Sequence, residues 1–174
     1  MIMKQGLCIF ICFVSCFVFS QRSSFDIARN GTLQELEVLV SKNPKIVNGI
    51  NDDGNSMLTL ACYNGNTEVA LFLMKNVENI NYSNKMGTAL MAAVVKNKIE
   101  LVKLLLQNGS DPNITDENGV TALMYATMFR MYDASEILIK HKADPELKDK
   151  RGNSAIDYAI LANDDKLIEI LKSK

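Results

Sequence analysis

Beyond residue 20 this 174-residue chain has one cysteine, Cys62, and one histidine, His141. A single cysteine cannot form an internal disulfide, so core packing must hold the fold, and a small apolar thiol directly after Ala61 is expected to be buried. A single histidine makes no metal set and no catalytic pair, and His141 is read as a solvent-facing loop residue. There is no Gly-x-Ser-x-Gly elbow, no His-Glu-x-x-His, no Cys-x-x-Cys and no phosphate-binding glycine loop. Nor is there an excess of one charge: beyond residue 20 stand 18 basic and 20 acidic residues. That balance creates no field for nucleic acid or anionic lipid. The adjacent carboxylates Asp52-Asp53 and Asp164-Asp165 fall short of the six to eight oxygen ligands of a calcium site. They read as a turn pair and a helix-start pair. No catalytic residue, cofactor or metal is expected.

What the chain does have begins with its leader. Lys4 is followed by an apolar run from Leu7 to Phe19, then by Ser20-Gln21-Arg22-Ser23-Ser24, with no acidic residue before Asp26. A basic start, a short apolar run and a small residue describe a secretory signal peptide over 1–20, cleaved after Ser20. The run is shorter than the roughly 20 apolar residues of a bilayer span. Export to a periplasm or to the outside is the expectation, with no stable membrane span after cleavage.

The remainder is organised by recurrence. Thr121-Ala122-Leu123-Met124-Tyr125-Ala126 has copies at Thr88–Ala93, Ser56–Ala61 and Ser154–Ala159, at steps of 32, 33 and 33 residues. A fixed step of this size means stacked supersecondary units. Each copy opens with a hydroxyl residue suited to capping a helix, so each starts a short helix. Turns follow at Asn64-Gly65, Asn97-Lys98, Arg130-Met131 and Asn163-Asp164. Second helices then carry apolar residues three and four apart, as in Ile99–Leu106. Gly109-Ser110-Asp111-Pro112-Asn113 and Lys142-Ala143-Asp144-Pro145-Glu146 join the units, and tight turns project at Asn51–Gly54, Asn84–Gly87, Asp116–Gly119 and Asp149–Gly152. The third unit, the one with Asn84-Lys85-Met86-Gly87, lacks one residue in its turn, which accounts for the step of 32 and predicts a displaced tip. Before them, a helical pair over Arg22–Val40 ends at Asn43-Pro44, with Ile46-Val47 as an apolar hook.

These residues resemble the ankyrin repeat, a unit of about 33 residues with a β-turn, two helices and a Thr-Pro-Leu-His-x-Ala signature. The match is at Thr/Ser, Leu/Ile and Ala. The proline position holds Met57, Ala89, Ala122 and Ala155, and the histidine position holds Thr59, Met91, Met124 and Asp157. The resemblance implies an all-α repeat, an α-solenoid with β-turn fingers, in units of about 22–50, 51–82, 83–115, 116–148 and 149–174.

It implies equally a non-enzymatic scaffold whose concave face and turn tips bind a protein partner. Two residues after each repeated alanine stand Tyr63, Val95, Met128 and Leu161, with Phe129 beside Met128. This apolar column lines either the groove or the seam between units. With it, Asp53, Asn55, Lys85, Lys96, Glu117, Asn118 and Arg151 are the candidate protein-binding residues. A monomer is expected, with no nucleic-acid partner. An inhibitor or immunity-type protein covering a specific enzyme or toxin is the alternative, and an enzyme with an unrecognised site a remote one. Asn30-Gly31-Thr32, Asn81-Tyr82-Ser83 and Asn113-Ile114-Thr115 fit the glycan acceptor pattern.

Overall fold

A computed structural model describes residues 22–173. The proposed signal peptide over 1–20 lies outside the described residues.

Among the described residues ten α-helices alternate between two rows. The first row holds α1 (Ser24–Asn30), α3 (Met57–Asn64), α5 (Ala89–Val95), α7 (Ala122–Met128) and α9 (Ala155–Leu161). The second holds α2 (Leu33–Lys42), α4 (Thr67–Asn76), α6 (Ile99–Gln107), α8 (Tyr132–Lys140) and α10 (Asp165–Lys172). Each helix packs on its own unit's partner and on the same-row helix of the next unit. First-row helices have only 7 or 8 residues. A helix so short is marginal alone, so neighbours supply its stability.

The hydroxyl at each repeat start makes the expected cap. Ser56 Oγ accepts the N–H of Thr59 at 3.1 Å, Thr88 Oγ1 that of Met91 at 3.3 Å, Thr121 Oγ1 that of Met124 at 3.2 Å, and Ser154 Oγ that of Asp157 at 3.1 Å. Between the rows the chain turns through a left-handed residue in every unit from the second on: Gly65, Asn97, Arg130 and Asn163. Three of these four are not glycine, and two are asparagine, which tolerates that backbone region better than most.

The core runs unbroken along the stack. Ala61, Ala93, Ala126 and Ala159 are all fully buried, so the alanines of the repeat let first-row helices approach closely. Leu58, Leu90 and Leu123 are buried in the same core. At the histidine position of the signature the two central units carry Met91 and Met124, both buried, which exchange a polar link for core volume. Thr59 and Asp157 turn inward only as far as their own caps, bonding Ser56 and Ser154. In the first unit Pro44–Asn48 forms a single 3-10 turn that buries Val47, as the apolar hook requires.

The shortened third finger is a hairpin. β1 (Ser83–Asn84) pairs antiparallel with β2 (Gly87–Thr88), leaving Lys85-Met86 as a two-residue turn. The second and fourth fingers close instead through single bridges, Ile50 to Ser56 and Thr115 to Thr121. Gly87 has φ +99°, and a Cβ there would collide with Met91 Sδ, so glycine is required at this position. The hairpin stays bonded on both sides. Asn84 Nδ2 donates to Gly54 O at 3.0 Å, and the N–H of Glu117 donates to Lys85 O at 3.4 Å.

Candidate protein-binding face

Fingers and first-row helices share one side of the stack, and the first residue of each finger fixes its shape. Asp116 Oδ1 accepts the N–H groups of Asn118 and Val120 at 2.8 and 2.9 Å, while Oδ2 accepts the Tyr125 hydroxyl at 2.7 Å. Asp149 repeats this with the N–H groups of Arg151 and Asn153 and the hydroxyl of Tyr158. The turn is thereby tied to the helix behind it. Asn51 and Asn84 do the simpler job in the earlier fingers, accepting from the N–H of Asn55 and of Met86. Sequence reasoning missed these latches, although an aspartate nine residues before a tyrosine occurs in both later units.

The latches shape the local electrostatics. The Tyr158 hydroxyl, helped by the N–H groups of Asn153 and Arg151, holds the Asp149 carboxyl below its usual range, against an opposing effect of burial. The Tyr158 phenol is raised in return. Tyr125 is pushed up to about 12, by burial first and by its bond to Asp116 second. A carboxyl whose folded pKa lies below its unfolded value stabilises the fold above the ordinary value of 3.8 and loses that contribution as pH falls through the folded value. Tyr158→Phe is therefore expected to raise the Asp149 pKa and to make acid unfolding begin at higher pH. Carboxyl carbon NMR titration of both proteins checks this, and an unmoved Asp149 titration would refute the latch.

A second device joins the units. Asn48 Oδ1 accepts the N–H of Glu78 at 2.9 Å, Asn81 Oδ1 that of Asp111 at 2.9 Å, and Asn113 Oδ1 that of Asp144 at 2.7 Å. Asn113 Nδ2 also donates to Lys142 O at 3.2 Å. Two of the three glycan acceptor patterns thus fall on asparagines that bridge neighbouring units. A sugar on Asn113 would use the nitrogen that makes this bond. Asn30 is exposed at the end of α1.

The apolar column lies on the open side of the first row. Tyr63, Met128, Phe129 and Leu161 are 43, 37, 54 and 69% exposed, and Val95 is half-buried. The Tyr63 ring carries Lys96 Nζ at 4.3 Å from its centroid, a cation–π contact. Phe129 stacks on Tyr125 with centroids 6.2 Å apart. Among the tips, Asp53, Lys85, Glu117, Asn118 and Arg151 are exposed. Asn55 is half-buried and accepts from Asn84 Nδ2 at 2.9 Å, so its side chain serves the joint between two fingers. A pocket of about 210 Å³ opens between the last two fingers, edged by Asn118, Lys150 and Arg151 with Met128, Tyr125 and Tyr158 behind.

Of the residues weighed for chemistry, Cys62, His141 and Asp164 have structural places. Cys62 is buried, which pushes its thiol up and away from reactivity. His141 ends α8 with Nδ1 at 2.8 Å from Ile137 O. Asp164 caps α10 through the N–H of Leu167 and accepts from the Tyr132 hydroxyl, with Arg130 Nε 3.7 Å away. Asp52 and Asp53 stand exposed in their turn. Among the described residues no three metal-ligating side chains converge.

A double row of short helices, ordered fingers on one side and a core that continues from unit to unit define a helical-repeat solenoid. The chain belongs to the ankyrin-repeat family: the family model described as ankyrin repeats, three copies, matches residues 25–116 and 90–174. Members of this family generally mediate protein–protein interaction and are typically non-enzymatic scaffolds. No curated protein matches the sequence.

Proposed function

We propose that this chain is an exported binding protein that holds a protein partner against its fingers and first-row helices, without catalysis. The observation that carries the reading is the line of exposed apolar side chains Tyr63, Met128, Phe129 and Leu161 beside ordered polar tips. Apolar side chains surrounded by a polar rim are the usual make-up of a contact centre. The latches and the finger-to-finger bonds hold this surface in one shape before binding, which reduces the ordering cost of association. Export is supported by the leader alone, with Lys4 ahead of the Leu7–Phe19 run.

Protein recovered from its native host outside the cytoplasm should begin at Gln21 or within a few residues of it. Used as bait on a cell-envelope extract, that same protein should retain one partner in stoichiometric amount. N-terminal sequencing that finds Met1 retained in a membrane fraction would overturn export. A bait that saturates with nothing from envelope or medium would overturn the binding role.

A further inference from the structure

The two residues at each fingertip are Asp52-Asp53, Lys85-Met86, Glu117-Asn118 and Lys150-Arg151. All eight side chains are exposed, and among the described residues none of the six charged ones forms an ion pair. The tips stand in chain order along one edge. Asn84 bonds the second finger, Glu117 N–H the third finger at Lys85 O, and Lys150 N–H the fourth at Asn118 O, at 2.9 Å. Read along that edge, the charge is doubly negative, singly positive, singly negative and doubly positive.

This series equals itself when it is reversed and its signs are exchanged. We infer that the finger edge pairs with a second copy of this chain about a two-fold axis, the second finger of one copy facing the fifth unit's finger of the other and the third facing the fourth. In that register every facing pair attracts: Asp52 and Asp53 meet the other copy's Lys150 and Arg151, and Lys85 meets its Glu117. A two-fold contact needs such a self-complementary surface, with each residue pairing reciprocally. Wrong registers are opposed by the same charges. Parallel edges put like against like at every finger, and an antiparallel slip by one finger faces negative tips with negative and positive with positive. The axis falls between the third and fourth fingers. Met86, 76% exposed, stands next to it and supplies an apolar centre ringed by the charges. The inference departs from the expected monomer. It rests on the binding reading only in taking the finger edge as a protein-binding surface.

Sedimentation of the full chain tests it. At about 100 µM protein and about 20 mM salt, where the screening length is roughly 20 Å, a dimer should be populated, and about 0.5 M salt should weaken it at least tenfold. Lys150→Glu with Arg151→Glu should weaken self-association at least about tenfold, and so should Asp52→Lys with Asp53→Lys. Mixing these two variants restores opposite charge at both outer contacts, so the mixture should dimerise at least about tenfold more tightly than either variant alone. One chain carrying all four changes should pair with itself again. Association through the apolar leader or column would ignore both salt and charge exchange. A monomer at low salt, variants that dimerise as well as the parent, or a mixture that fails to recover would each overturn the inference. Melting curves of every variant verify the fold. A monomer would leave binding of a different protein at Met128 and Phe129 untouched, so the two proposals fail separately.

Discussion

Leu123→Ala is expected to lower stability by about 2–5 kcal/mol, the cost of truncating a buried leucine whose surroundings cannot collapse around the gap. Leu123 is fully buried in α7, which packs on α5, α8 and α9, so the missing atoms loosen two seams and one helix pair together. A domain of this size is usually stable by only about 5–15 kcal/mol, so the loss should show as a much earlier urea midpoint. The same truncation at Ile156 provides the comparison. Ile156 holds the equivalent repeat position but is only half-buried, and its replacement should cost distinctly less. An unchanged unfolding curve for Leu123→Ala would mean that the first row does not carry the core.

Replacing Met128 and Phe129 together by serine is expected to weaken a partner complex by more than about 2 kcal/mol, roughly thirtyfold in affinity. The free protein should lose much less. Both side chains are exposed, and such positions usually change stability by about 0.5 kcal/mol or less. The Phe129 ring does stack on Tyr125, and breaking an aromatic pair adds about 0.5–1.5 kcal/mol. Calorimetric titration of the partner and a melting curve on the same variant separate the two effects. A large fall in melting temperature with unchanged affinity for the remaining folded protein would assign these residues to the seam between units.

The repeat step was legible as plain recurrence, and the four helix caps and the turns between rows because each depends on residues within a few positions of one another. The left-handed backbone at Asn97, Arg130 and Asn163 showed only in the fold. Ser56, Thr88, Thr121 and Ser154 announce helix starts by local chemistry, and the alanines five residues on mark the close-packed face. The hairpin of the third finger was half legible. The missing residue shows in the step of 32, but the two-residue turn depends on Gly87 adopting a backbone that only the folded finger reveals. The polar links between distant parts were not legible. Asn81 and Asn113 carry a local pattern for sugar attachment, while the amides they hold lie 30 and 31 residues away. The Asp116–Tyr125 and Asp149–Tyr158 bonds hide for a related reason, since hydrophobic spacing reports which face is buried and says nothing of which polar groups meet there. The apolar column was legible as a line of side chains, and its exposure only from the stack.

The asparagine bridges have a bearing on how such a chain can change length. At the first three joints the asparagine of one unit grips a main-chain amide of the next, a group that every residue except proline possesses. The fit between successive modules therefore makes little demand on the identity of the newcomer's side chains at this point. Copying or excising a whole 33-residue segment would keep the grip in register, whereas gaining or losing a few residues inside one would break it. Joints of this kind make the modules interchangeable parts, and they favour growth or shrinkage in whole steps.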